Sequence, residues 1–108
     1  MKKMKNLKCW QQGDVIGIKL SSPPAGEVKV VSKRNCVVAH GESGHSHVVE
    51  DEEAELLQIG EKMILSLKNP ATLMHEEHGP ITLDAGIWEV GQVKEFDYLS
   101  MMTRTVQD

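Results

Sequence analysis

Residues 55–68 read Glu55-Leu-Leu-Gln-Ile-Gly-Glu-Lys-Met-Ile-Leu-Ser-Leu-Lys68, and this stretch decides the fold class. Two apolar runs, 55–59 and 63–68, flank the short polar segment Gly60-Glu-Lys62. A short connection that contains Gly between two apolar runs is typical of a β-hairpin. We therefore predict two antiparallel strands that are joined by a three-residue connection.

The same kind of pattern continues on both sides of this hairpin. Apolar residues recur mostly with period two, and Gly or Pro clusters interrupt them at short intervals, which is typical of short strands. Further strands are predicted at residues 14–20, 28–33, 36–40, 45–50, 71–75, 80–83, 87–90 and 93–98. We predict a polar turn at 33–35, a solvated loop at the charged run Glu50-Asp-Glu-Glu53 and a β-bulge at Gly91. The predicted fold is mainly β, a small single-domain open β-barrel or sandwich of short antiparallel strands.

The apolar positions of these strands predict the core. Alternate residues of a strand share one face, so one set of side chains can point to a common interior. We expect the core to be formed mostly by Ile16, Ile18, Leu20, Val37, Met63, Leu65, Leu67, Ile81, Leu83 and Trp88.

Composition and charge exclude several classes of protein. The 108 residues carry 12 Lys and Arg against 16 Asp and Glu, and residues 1–8 alone contain four Lys. We predict a basic, flexible N-terminal segment at 1–8 and one β-rich domain at 9–108, whose net charge is −8. An acidic domain repels phosphate backbones, so nucleic acid is not an expected partner.

The sequence has no apolar run of roughly 18 residues and no signal-peptide core, so we expect a cytoplasmic protein without a membrane span. Cys9 and Cys36 are not expected to form a disulfide.

The five histidines form the strongest chemical feature. His45-Ser-His47 places two imidazoles on one face of a strand, about 7 Å apart at the backbone. His75-Glu-Glu-His78 lies in a turn that Gly79-Pro80 closes, so this second pair can also converge. If the two pairs meet, four imidazoles surround one point, which suits a divalent transition metal, with zinc the first expectation and iron or nickel as alternatives. The fifth histidine, His40, stands apart from both pairs. The alternative is that all five are surface or hydrogen-bonded residues in turns.

The same residues carry a resemblance. Gly41-Glu-Ser-Gly-His-Ser-His47 and Leu73-Met-His-Glu-Glu-His-Gly-Pro-Ile-Thr-Leu-Asp-Ala-Gly-Ile-Trp88 resemble the two histidine motifs of a group of small uncharacterised bacterial and phage proteins. The resemblance spans roughly residues 13–98 and implies that His45, His47, His75 and His78 act together, but it implies no activity. A weaker similarity to cupins covers His45, His47, Glu52 and Gly60, and the histidine of the second cupin motif is missing after Asp84-Ala-Gly86. A histidine-triad hydrolase would need a third His where Val49 stands.

Two classes of function follow from these observations. The first is a metal-binding β domain with hydrolase-type chemistry, in which Glu76 or Glu77 acts as the base beside a metal-bound water. Four histidine ligands would close a zinc site and favour a structural role, whereas three ligands and a water favour chemistry. The second class is a non-catalytic acidic β module, phage-related or self-associating, that binds through its sheet edges without metal. A homo-oligomer is compatible with both classes, and the substrate stays open.

Overall fold

The described part of the chain, residues 9–40 and 46–92 of a computed structural model, is built from antiparallel strands and contains no helix within those ranges. The predicted fold class is confirmed: the strands form a nearly closed, barrel-like sheet. None of the described segments is an apolar helix of the length that a membrane span needs. The eight strands are β1 (Cys9–Gln12), β2 (Val15–Leu20), β3 (Val28–His40), β4 (Ser46–Ile59), β5 (Lys62–Leu67), β6 (Ala71–Met74), β7 (Ile81–Leu83) and β8 (Gly86–Gln92).

The long strand β4 organises the sheet. The strand order is β1-β2-β8-β5-β4-β6-β7, and β3 pairs with β4. The second half of β4 pairs with β5, whereas its first half pairs with β6. One strand therefore belongs to two smaller ladders, and β1 and β7 lie at the two ends of the strand order.

A side chain connects these two ends. Gln12, the last residue of β1, donates hydrogen bonds from Nε2 to the carbonyl oxygen of Leu73 in β6 at 3.1 Å and to that of Gly79 before β7 at 2.8 Å. Gln12 is only 2% exposed. These bonds join the end of β1 to β6 and to the segment before β7.

The middle of β3 and β4 corrects two predictions. The predicted turn at 33–35 and the predicted loop at Glu50–Glu53 both lie inside continuous strands. The register passes from Lys33↔Glu55 to Asn35↔Glu50, so a bulge absorbs the extra residues of β4, and Arg34 takes a positive φ of 70° there. The bulge interrupts the period-two pattern and exposes charged side chains, which is why the sequence resembled a loop.

The bulge also changes which residues of β4 face the interior. Before it His47 and Val49 are buried, and after it Ala54 and Leu56 are buried. Odd positions therefore face inward before the bulge, whereas the even positions Ala54 and Leu56 contact the main core after it, and Ile59 is buried outside that core. This change of face places a histidine on the inner face of a strand whose second half is aliphatic.

The core confirms half of its predicted members. Ile16, Leu65, Leu67, Leu83 and Trp88 are buried, and Met63 and Ile81 pack against the core while partly exposed. Ile18, Leu20 and Val37 are only half-buried, so their prediction as core residues is wrong. The main core also contains members that were not predicted: Trp10, Val15, Cys36, Val38, Val49, Ala54, Leu56, Ala71, Leu73 and Val90.

The register explains these errors. In β2 the face toward the main core carries Val15 and Gly17, which pair with Gln12 and Trp10. Ile16 is buried on the other face, where Ile18 and Leu20 are only half-buried. The Trp10 ring fills the space that a Cβ on Gly17 would occupy. A glycine therefore lies where the pattern predicted the outer face, and Trp10 supplies the missing volume from β1, a strand that was not predicted.

Two local predictions also change. The hairpin β4–β5 has a two-residue connection, Gly60-Glu61, because Ile59 pairs with Lys62. Gly60 has a φ of +64°, as the first central residue of a type II′ turn requires. Gly91 pairs regularly with Ile16, so the predicted bulge at Gly91 is wrong. The predicted strand at 93–98 lies outside the described residues.

Candidate metal centre

The site is built around His47 on the inner face of β4. The side chain is 1% exposed, which is unusual for a titratable group. It lies near the junction of β1 and β2 and near the β6–β7 turn. Residues from three separate segments of the chain therefore meet at one imidazole ring.

Gln12 sets the protonation of this ring. Its Nε2 donates to two backbone carbonyls, so its Oε1 must be the atom that faces His47. His47 Nδ1 lies 2.8 Å from that Oε1. An amide oxygen only accepts hydrogen bonds, so Nδ1 of His47 carries the proton and donates. In the neutral ring, Nε2 then carries a lone pair and no proton.

Nε2 of His47 is buried, and no hydrogen-bond partner for it exists among the described residues. The nearest charged atom is Oδ1 of Asp14 in the β1–β2 turn, at 3.9 Å. The pKa of His47 is lowered, first by desolvation and then by the neighbouring His75, while Asp14 opposes the shift. The ring is therefore neutral near pH 7, and a lone pair without a donor is held inside the protein.

The rings of the two histidines of the β6–β7 turn lie close to the His47 ring. The ring centroid of His75 lies 4.2 Å from that of His47, and the centroid of His78 lies 4.8 Å from that of His75 and 6.5 Å from that of His47. Nδ1 of His75 accepts hydrogen bonds from the backbone N–H groups of Glu77 at 3.0 Å and His78 at 3.2 Å. His75 therefore caps its own turn, in the way that Asn or Asp side chains do in other turns.

Gly13, in the β1–β2 turn, lies against the ring of His78. Its φ is +61°, and a Cβ built there would lie 2.7 Å from Nε2 of His78. Only glycine combines that backbone conformation with such a close ring. The β1–β2 turn thus brings the His78 ring against Gly13, next to Asp14 in the chain.

The structure places the predicted site residues as follows. It brings together the rings of three predicted ligands, His47, His75 and His78. His45 lies outside the described residues, and the side chain of His40 does too. In the described part of the chain, no three His, Cys, Asp or Glu side chains are arranged so that they could hold a metal ion. The rings of His47 and His78 are nearly parallel, at 12°, whereas the His75 ring is tilted by 31° to His47 and by 40° to His78.

The candidate bases lie in the same turn. Glu76 and Glu77 are both exposed. An open cleft of about 290 Å³ lies beside the turn, and Val48 and Met74 form its apolar floor. Ser46, Glu50, His75 and Glu76 provide its polar groups, whereas Glu77 does not line it. Of the two carboxylates, Glu76 alone lines this cleft, which lies on the outer face of β4, opposite to His47.

Sequence reasoning missed Gln12 and Asp14. Gln12 is 35 residues from His47 in the chain, and nothing in its local pattern marks it as a partner of a histidine. The polar stretch Gln11-Gln-Gly-Asp14 does predict a turn. Its role as a wall of the site depends on which strands become neighbours.

A comparison with known families identifies the class of this domain. Residues 11–92 match the model of a domain of unknown function, DUF8820. The chain therefore belongs to this uncharacterised family, and the matched range spans both the barrel and the site. The comparisons with curated proteins and with solved structures found no match.

Proposed function

We propose that this protein binds one divalent transition-metal ion per chain at the histidine cluster, with Nε2 of His47 as the anchoring ligand. One observation carries the proposal: a neutral imidazole with a fixed tautomer presents a buried lone pair that no described group satisfies. Burying an unsatisfied polar atom is unfavourable, and a metal ion removes that cost. Metal-binding histidines also hold their other ring nitrogen by a hydrogen bond, as Gln12 does here.

The surrounding charges favour a cation. Asp14 lies 3.9 Å from the lone pair, and Glu76 and Glu77 follow His75 in the turn. Imidazole and carboxylate ligands suit zinc, and they also suit iron and nickel. Zinc is the first expectation because it is bound by this ligand mixture without a redox requirement. The two histidine motifs resemble those of small uncharacterised bacterial and phage proteins, and this resemblance implies that His45, His47, His75 and His78 act together.

Metal content and affinity test the proposal. Protein purified without a His tag should contain about one metal ion per chain, and apo protein should take up zinc, nickel or ferrous iron in a calorimetric titration. His47→Gln should remove binding, while the control Glu61→Gln, at the exposed tip of the β4–β5 hairpin, should bind as the wild type does. A thermal melt of each variant verifies that it is folded. Absence of uptake of all three metals by folded wild-type protein would refute the proposal.

A second candidate function has its own observation. Val28, Val30 and Val31 are 53%, 49% and 47% exposed on β3, which pairs only with β4 within the residues that the structure describes. Exposed apolar side chains on a sheet edge favour strand addition by a partner. If metal is not bound, an interaction module that uses β3 is the alternative. Light scattering of wild type and Val30→Lys tests whether copies associate through this edge.

A further inference from the structure

We infer that the ion is held by Nε2 of His47, Nε2 of His78 and a carboxylate oxygen of Asp14, with His75 outside the ligand set. The observed side chains do not yet form such a group, so His78 and Asp14 must move toward the ion when it binds. This inference rests on the proposed metal binding and specifies its geometry. Two imidazoles and one carboxylate leave coordination positions open, which is the arrangement of catalytic metal sites and not of closed structural ones.

The hydrogen bonds of His75 exclude it as a ligand in the observed turn. Its Nδ1 lone pair accepts from two backbone N–H groups, those of Glu77 and His78. In the neutral ring the proton is then on Nε2, and a protonated nitrogen cannot bind a metal. Binding through Nδ1 would take the acceptor away from both N–H groups and would open the turn that positions His78.

His47 and Asp14 already lie near the spacing of two ligands. Donor atoms on a tetrahedral zinc ion are about 3.3 Å apart, given bond lengths of about 2.0 Å. The observed separation of 3.9 Å between His47 Nε2 and Asp14 Oδ1 closes with a small movement of the Asp14 side chain, which is about one-third exposed. A cation placed between these two atoms contacts a lone pair on one side and a negative charge on the other.

His78, in the β6–β7 turn, provides the third ligand. Its Nε2 lies against Gly13, the residue that precedes Asp14. The ring is nearly parallel to that of His47, at 12°. His78 is exposed, so its ring can rotate about its side-chain bonds and direct Nε2 at the ion without a change in the barrel.

The open positions define the class of ligand. A divalent ion with one carboxylate ligand keeps a net positive charge, so it attracts water and small anions with an oxygen or nitrogen donor atom. The cleft of about 290 Å³ lies on the outer face of β4, and none of the three ligands lines it. His78 is exposed and Asp14 is about one-third exposed, so the ion is reached from the side of the β1–β2 and β6–β7 turns.

Matched substitutions in one turn test the ligand set. His75→Asn keeps a side-chain acceptor for the turn, as Asn does in Asx-turns, so the affinity of the protein for cobalt(II) should change by less than about threefold. His78→Asn and Asp14→Asn remove a ligand, and each should lower cobalt affinity by roughly 100-fold or more, beyond the effect typical of outer partners. Calorimetric titration of the apo proteins measures these affinities.

Visible spectroscopy of the cobalt-loaded wild-type protein tests the open positions. Added azide should change the ligand-field bands, because it can occupy an open position. An unchanged spectrum at saturating azide would overturn the open site. A loss for His75→Asn equal to that of His78→Asn would overturn the ligand set while leaving metal binding itself intact. If the wild type binds neither cobalt, zinc nor nickel, both the inference and the proposed function fail.

Discussion

The two halves of β4 are held in the sheet by different interactions. The second half, residues 55–59, forms an uninterrupted ladder with β5, from Glu55↔Ser66 to Ile59↔Lys62. The first half, residues 46–49, pairs with β6 only at Val48↔Met74 and Val49↔Leu73. There, the Gln12 side chain joins the strands by hydrogen bonds to backbone carbonyls.

The second half of β4 therefore contributes mainly to stability, whereas the first half holds the candidate site. In the second half, backbone pairing and aliphatic burial support each other, and few polar side chains are buried. In the first half, side chains replace part of the ladder, and the same hydrogen bonds that join the strands orient a buried histidine. The candidate site therefore lies where regular pairing is shortest. The following predictions test that division, from the largest expected effect to the smallest.

Leu65→Ala should destabilise the protein most. Leu65 is fully buried and pairs with Leu56 and Trp88 on its two sides. Truncation removes apolar contacts and leaves a cavity, so the free energy of unfolding should fall by about 2–5 kcal/mol, measured in urea. The control Val28→Ala, at a residue 53% exposed, should change it by less than about 0.5 kcal/mol. A loss below about 1 kcal/mol for Leu65→Ala would show that the apolar half is not the main source of stability.

Gln12→Ala should cost less stability but should alter the site. The substitution leaves two carbonyls and Nδ1 of His47 without their partner, so we expect a loss of about 1–3 kcal/mol. Gln11→Ala is the matched control, because Gln11 is exposed and bonds only the Gly13 carbonyl two residues away.

The same variant gives a spectroscopic test. In the wild type, nitrogen chemical shifts should identify His47 as the Nδ1–H tautomer, and Gln12→Ala should produce a mixture. Metal affinity should fall by roughly 10–100-fold, as expected when an outer partner is lost. Equal behaviour of the two Gln variants would contradict the role assigned to Gln12.

Gly13→Ala should destabilise more than Gly60→Ala. Both glycines have a positive φ, of 61° and 64°, so both substitutions carry a backbone cost of about 1–2 kcal/mol. Only at Gly13 would the new methyl group meet the His78 ring, since nothing lies within 4 Å at Gly60. The difference between the two losses should shrink when His78 is replaced by Ala in both backgrounds. A difference that persists there would mean that His78 does not pack on this turn.

Acid should weaken the metal-free protein through His47. The folded-state pKa of His47 lies below the unfolded value of about 6.5, so the unfolded chain binds the proton more readily. Stability is then complete above pH 6.5 and falls as the pH decreases below it, by at most about 1.4 kcal/mol per pH unit for one group. Urea unfolding in the presence of a chelator should show this slope, and His47→Gln should reduce it. An identical slope in the variant would assign the dependence to other groups.

The fold could be predicted largely from local sequence, because strand formation depends on patterns within a few residues. The β4–β5 hairpin carries a glycine turn between two apolar runs, and the burial of Leu65 and Leu67 follows from the alternation along β5. The prediction failed where the period changed. Glu50–Glu53 lies in a bulge, and Gly17 is paired with a tryptophan from another strand, neither of which leaves a local pattern.

The candidate site, too, could be predicted only in part from local sequence. Local spacing alone determined that His75 and His78 would lie together in one turn, because only four residues lie between Met74 and Gly79 and leave little freedom. Only the tertiary structure decided that His47 faces inward, that Gln12 directs the proton to Nδ1, and that Asp14 approaches Nε2. The physical reason is that these relations depend on strand register and barrel closure, which join residues 33 or more positions apart through contacts that no short segment encodes.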